Sequence, residues 1–271
     1  MATLPELKKK LRSIKSTEKM TKAMKTVAAA KYSRNNRLFD GYSRYSDSCY
    51  GVYKKFEGNI NTYFPTACDS APPAVFIFSS NKGMCGGFNT ELFNFAAERL
   101  KELPADTKLF PCGKKAINYF SEKMLPFEKG FTFSDTPSYE EAECFINEIL
   151  TFREKGEISS VYFIYPVYKN VMKQIPSITE LFSVQKEASF NENDTQELFI
   201  PDKETVMKEI ARKVIFSAVF GIILQTALGA QAATLTTMRS AYDTAVSYSQ
   251  ILETQINRQR QAQITSDLKP E

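Results

Sequence analysis

The sequence predicts an α/β fold with long helices: an antiparallel two-helix coiled coil made by the N- and C-terminal helices, with an inserted Rossmann-like α/β domain. Two observations predict it. The chain ends, 1–60 and 203–271, carry apolar steps of three and four over stretches almost free of Pro and Gly. The middle, 70–200, changes to short apolar runs that alternate with helical patterns of about 10–15 residues.

From Glu6 to Glu57 there is no Pro, and Gly occurs only at Gly41 and Gly51. Apolar or small side chains recur at Leu4, Leu7, Leu11, Ile14, Met24, Ala28, Leu38, Tyr42, Tyr45, Cys49, Val52 and Phe56. That is a heptad-like seam on one helix, roughly 78 Å long at about 1.5 Å per residue. The seam thins between Thr17 and Asn35, where Lys and Thr crowd in. The segment reads as half of a coiled coil whose partner lies elsewhere in the chain.

In the middle, Ala74–Phe78 follows Pro72-Pro73 and reads as a buried strand. A Gly-rich turn from Ser79 to Phe88 leads to a helix capped by Asn89 or Thr90 and carrying Leu92, Phe93, Ala96 and Leu100. Lys108–Gly113 is a second strand, with a helix from Lys114 to about Lys123. Ser138 and Glu141 form a capping box for a helix to about Arg153. Val161–Tyr165 and Ile178–Val184 are further strands, and Asn191–Thr195 is a polar loop. Strands alternating with helices make a small doubly wound domain.

From Lys203 to about Leu268 Pro is again absent, and the glycines are Gly221 and Gly229. Leu224, Leu228, Gln231, Leu235, Met238, Tyr242, Ala245, Ser249, Leu252 and Ile256 step four, three, four, three. This second helix, of about 66 residues and roughly 100 Å, has a period matching the first.

Composition narrows the chemistry. The 271 residues contain no His and no Trp. Ser-His-Asp and Cys-His catalysis and His-ligated zinc are therefore excluded. Five cysteines (Cys49, Cys68, Cys85, Cys112, Cys144) without a C-x-x-C pair predict reduced thiols in a cytoplasmic setting. The start lacks the apolar core of a signal peptide. Charge is segregated: residues 1–60 hold 14 Lys/Arg and five Asp/Glu, a net +9, while the rest carries −5. A basic arm on a mildly acidic body points to a polyanionic partner, with nucleic acid, anionic lipid and an acidic protein surface all open.

Three features compete as carriers of chemistry. The Gly-rich turn follows a strand and precedes a helix, as phosphate cradles do. Yet no window fits G-x-x-x-x-G-K-S/T or G-x-G-x-x-G, so Gly83, Cys85, Gly86 and Gly87 read as a structural turn. The stretch from Val214 to Met238 has no charge, but its strongly apolar part spans eleven residues, about 16 Å against a bilayer core of about 30 Å. It predicts a helix enclosed by protein, thinned by Ala, Gly and Thr from Ala227 to Thr237. The third feature is the basic arm itself. Acids are nearly absent beside its lysines, which breaks the usual i,i+4 pairing, and no aromatic interleaves with them before Tyr32, which disfavours nucleic acid.

The residues then match a known family. Ile14–Lys31 (IKSTEKMTKAMKTVAAAK) resembles the N-terminal signature of the gamma subunit of F-type ATP synthases. Ser80–Asn89 (SNKGMCGGFN) is similar to that family's S-D-R-G-L-C-G-G-x-N, and Asn257–Leu268 to its N-x-x-R-Q-A-x-I-T-x-E-L. The resemblance implies a rotor shaft inside a ring of three alpha and three beta subunits, with the α/β domain toward the membrane. There it would hold the epsilon subunit and the ion-carrying c-ring, on the cytoplasmic face of a bacterial plasma membrane. It implies torque transmission with no catalytic residue, cofactor or metal in this chain. By position, Lys15, Thr21, Lys22, Met24 and Lys25 would meet an acidic beta-subunit lever, and Arg258, Arg260, Gln261 and Thr265 would hold a loop of the ring. The alternative is a coiled-coil adaptor or nucleic-acid-binding protein using the basic helix. Two departures stand out. The family's Glu and Arg fall near Ala230 and Thr234, and its tail is replaced by Lys269-Pro270-Glu271, which predicts a shaft tip shorter by about three turns with torque retained.

Overall fold

The computed structural model describes residues 3–55, 71–181 and 200–267. Expectations for the chain start, Phe56, Cys68, the end of the strand at 182–184, the 191–195 loop, Leu268 and the 269–271 tail lie outside the described residues.

Two helices dominate: α1 (Leu4–Lys55) and α5 (Lys203–Asp267). They run antiparallel, because ascending numbers on α1 meet descending numbers on α5. Lys15 Nζ lies 2.6 Å from Glu253 Oε1, and Lys25 Nζ 4.7 Å from the Tyr242 ring centroid. Further down, Tyr42 meets Phe220 edge-to-face at 4.7 Å, and the Ser46 hydroxyl donates to Ser217 Oγ at 3.3 Å.

The α1 seam keeps a strict seven-residue step. Leu7, Thr21, Ala28 and Asn35 are buried, and Ile14, Tyr42 and Cys49 are half-buried in the same phase. Leu38, Tyr45 and Val52, expected in the seam, are instead 43%, 46% and 44% exposed. They fall on a flank one position away from the row Phe39 and Ser46, which turns inward. On α5 the expected seam holds: Leu224, Leu228, Met238, Ala245, Ser249 and Leu252 are buried.

The α/β domain has a four-stranded sheet, ordered β2 (Lys108–Cys112), β1 (Ala74–Phe78), β3 (Val161–Asn170), β4 (Lys173–Glu180). β1 is parallel to both neighbours, pairing Phe76 with Phe110 and Phe163; β4 is antiparallel to β3. One face buries Val75 and Ile77 under α2 (Phe88–Leu100) and α3 (Lys114–Glu122), which supply Leu92, Phe93, Ala116 and Phe120. The other packs Phe76, Phe78, Phe110 and Phe163 against α4 (Tyr139–Glu154) and against Ile215, Val219 and Ile223 of α5. Helix α5 is thus at once half of the coiled coil and one layer of the domain.

That double role explains its apolar stretch. By length and composition the helix could cross a membrane, but most of its apolar stretch is buried within the chain. It is apolar all round because protein surrounds it.

Elsewhere the boundaries move. The strand expected from Ile178 starts at Lys173, and the one expected to end at Tyr165 runs to Asn170, so the two form a hairpin. Asn170 Oδ1 accepts from the Met172 amide at 2.9 Å, closing the turn. The capping box stands as expected: Ser138 Oγ accepts from Glu141 N at 3.3 Å, and Glu141 Oε2 from Ser138 N at 3.1 Å.

Candidate functional site

The Gly-rich turn is folded back on itself. Met84 and Gly86 take positive φ (63° and 60°), and Cys85 is buried at 4% exposure. Helix α2 starts from Gly87, with no side-chain cap. Asn89, expected as a cap, is instead turned toward Ser80. Its Oδ1 accepts from Ser80 N at 3.1 Å, and its Nδ2 donates to Ser80 Oγ at 2.8 Å. Gly83 lies against the Lys115 side chain.

The Gly-rich turn also reaches the start of α3, behind Gly113. Lys114 N donates to Asn81 Oδ1 (3.2 Å), Lys115 N to Ser80 O (3.1 Å) and Ala116 N to Ser79 Oγ (2.8 Å). At this helix start the amides that could cradle an anion are filled by residues of the Gly-rich turn, and at α2 the Phe88 amide donates back to Cys85 O at 3.3 Å. The Ser79–Asn89 segment is a structural clamp between β1, α2 and α3.

The shaft carries the other candidates. Thr21 is 4% exposed, and its hydroxyl donates within its own helix to Thr17 O and Glu18 O. It faces α5 and not the outside. Lys22 is exposed, whereas Met24 and Lys25 are half-buried beside the seam. Lys15 joins the arms through Glu253, and this hydrogen bond, with the attraction of the same carboxylate, raises the ammonium pKa above its ordinary value. Arg258, Arg260, Gln261 and Thr265 are all exposed on α5. Among the described residues, the ion pairs reaching the cations of 8–37 are Lys15–Glu253 and Lys31–Asp135, so most of this charge faces outward uncompensated.

Sequence reasoning missed a second constellation. Asp135 pairs with Lys31 of α1 and, at 3.1 Å, with Lys82 of the Gly-rich turn. Its backbone carbonyl accepts from the buried Asn35 Nδ2 at 2.9 Å. Next door, the hydroxyls of Tyr32 and Tyr168 hydrogen-bond at 2.7 Å. Burial alone would push the Asp135 carboxyl up, but the hydrogen bonds and charges of Lys31 and Lys82 outweigh it and hold it below its ordinary value. No sequence pattern announces a lone Asp in a loop as the partner of a helix about 100 residues earlier.

The comparisons agree with this architecture. The sequence model of the family described as ATP synthase matches residues 3–269. The chain is 29% identical over 286 residues to the ATP synthase gamma chain of Erythrobacter litoralis, covering 99% of this chain and 97% of that one. Against the gamma chain of Pasteurella multocida it is 28% identical, covering 99% and 96%. Among solved structures, a chain of the Euglena gracilis mitochondrial ATP synthase rotor superposes with a TM-score of 0.66 at 16% identity, covering 96% and 98%. A chain from the central stalk and c-ring of the Tetrahymena thermophila enzyme gives 0.62 at 18% identity, covering 82% and 99%. With the family model matching nearly the whole chain and gamma chains aligned end to end with it, this chain belongs to the ATP synthase family, among its gamma chains.

Proposed function

We propose that the chain is the central shaft of a bacterial ATP synthase, a non-catalytic subunit coupling rotation of a membrane ion-carrying ring to conformational change in catalytic beta subunits. In this reading the arms, 1–60 and 203–271, stand inside a ring of three alpha and three beta subunits. The 70–200 domain faces the membrane, meeting epsilon and the c-ring at the cytoplasmic side. The observation that carries it is the pairing of two long matched helices whose outer face is rich in uncompensated cations. A rotor needs a stiff, asymmetric rod with lateral contacts, and an acidic lever on a beta subunit suits an exposed Lys22.

Met24 and Lys25, half-buried at the seam edge, and Lys15, bridged to Glu253, would serve the lever from the rim. The exposed Arg258, Arg260, Gln261 and Thr265 would hydrogen-bond a loop of the ring. Thr21, turned inward, sets the spacing of the arms beneath that surface. Assembly of the full chain with its alpha and beta subunits, followed by single-molecule rotation, tests this. ATP-driven unidirectional rotation is expected; failure to bind the ring, or slipping without ATP turnover, overturns it.

A further inference from the structure

The α/β domain is held to the two arms in different ways. Helix α5 enters the domain core through seven buried side chains between Ile215 and Leu224, whereas α1 adds only the partly buried Phe39 and Tyr42. Apolar contact resists separation but is non-directional, so by itself it resists sliding and axial rotation weakly. The directional contacts between α1 and the domain gather at one level of the shaft. There Lys31 and Asn35 meet Asp135, and Tyr32 meets Tyr168.

The placement of these residues on the helix matters. Lys31 and Asn35, four apart, share one face of α1, while Tyr32 projects about 100° around the axis. Two polar attachments at different azimuths block rotation of α1 about itself, which one attachment would allow. Asn35 also occupies a seam position where an apolar residue would pack, and it is fully buried. A buried amide at such a position costs stability and fixes register. Asp135 is in turn anchored by Lys82, so the grip on α1 is tied to the Gly-rich clamp and through it to β1.

We propose that Asp135 and Tyr168 form a clasp on Lys31, Tyr32 and Asn35 that passes torsional load between the α/β domain and α1, the arm that otherwise meets the domain core through the apolar packing of Phe39 and Tyr42. The torque role rests on the rotor reading; the grip itself does not. Lys31→Met with Tyr168→Phe removes two of the polar links at near-constant volume, leaves Asp135 its Lys82 partner and keeps the Tyr168 ring.

Hydrogen exchange on the full-length chain reads the grip. Amides of α1 near residues 28–39 should exchange faster in the double variant, with α5 at 215–224 unchanged. Unaltered exchange in α1 overturns the clasp whatever the chain assembles with. Single-molecule rotation of the assembled complex, with a probe on the α/β domain, reads the torque role. Angular fluctuation during catalytic pauses should broaden roughly twofold as directional contacts give way to apolar packing alone, with unloaded ATP hydrolysis unchanged. Lys31→Arg with Tyr168 intact should restore the parent width. An unchanged width with faster exchange leaves a grip that bears no load and overturns the torque role. A parent complex that fails to rotate overturns the rotor reading, and the torque role with it.

Discussion

A Cβ on Gly229 would lie 3.2 Å from the ring edge of Phe88, and at the same distance from Cγ of Gln174. The thin middle of α5 therefore serves close approach: the helix is shaved so that the start of α2 and strand β4 can both press on it. Alanine there gains about 1 kcal/mol of helix propensity over glycine but crowds two neighbours, and the two effects should nearly cancel. Gly229→Leu adds volume with no such compensation. It should lower unfolding free energy by about 1–3 kcal/mol in a denaturant titration.

A harsher constraint sits at Gly113. Its φ is 99°, and a Cβ would stand 2.4 Å from the carbonyl oxygen of Ser79, which is backbone and cannot swing aside. Gly113→Ala should cost more than about 3 kcal/mol, combining forbidden backbone geometry with overpacking. Ser79→Ala tests the same clamp from the other side. It strips the acceptor from the buried Ala116 amide and should cost about 1–3 kcal/mol. Thermal melts of the two variants against the parent check both.

How far the fold could be read depended on whether polarity and burial agreed. On α5 they largely agree from Leu224 to Leu252: Leu224, Leu228, Met238, Ala245 and Leu252 of the pattern are buried, with Gln231, Leu235 and Tyr242 half-buried at its edge. On α1 they conflict. Thr21 and Asn35 are polar, so by polarity the seam thins between Thr17 and Asn35, although the seven-residue step from Leu7 to Cys49 runs straight through them. Thr21 can lie in a tight seam because its hydroxyl is satisfied by its own helix; Asn35 is met on its Nδ2 by a carbonyl from a distant loop, while its Oδ1 is buried without a hydrogen-bond partner among the described residues. The first condition is local and could have been guessed. The second depends on tertiary structure, which is why the Asp135 clasp is invisible in the sequence while the Gly-rich turn, whose glycines and Ser80–Asn89 bonds are local, is legible.

The Asp135 contacts also set a pH dependence. Its carboxyl titrates below its ordinary value of 3.8 in the folded chain, so the folded state favours the ionised form. The stabilisation is fully present above 3.8 and is lost as pH falls through the lower folded value. Comparing the parent with Asp135→Asn should show a stability advantage for the parent at neutral pH that shrinks steadily below pH 3.8. Urea midpoints measured across that range give the sign directly. A constant gap would mean the carboxylate charge is irrelevant.

The last prediction separates surface charge from seam packing on α1. If the outward cations meet an acidic partner, Lys22→Gln should weaken association with the alpha–beta ring several-fold, the scale of an exposed pair worth up to about 1 kcal/mol. The loss should fade in high salt, because the screening length falls from about 8 Å at 0.15 M to about 3 Å at 1 M. Lys25→Gln should act partly differently, since that ammonium also lies 4.7 Å over the Tyr242 ring and holds the arms together. Its variant should lose an additional contribution of about 0.5–1 kcal/mol in the isolated chain's own stability. Thr21→Val should leave ring affinity unchanged, because Thr21 is buried against α5 and its hydroxyl is spent on its own helix. Titrating the three variants with the assembled ring at two salt concentrations distinguishes them. An affinity loss at Thr21 equal to that at Lys22 would show that the partner reads the shape of the coiled coil and not its charge.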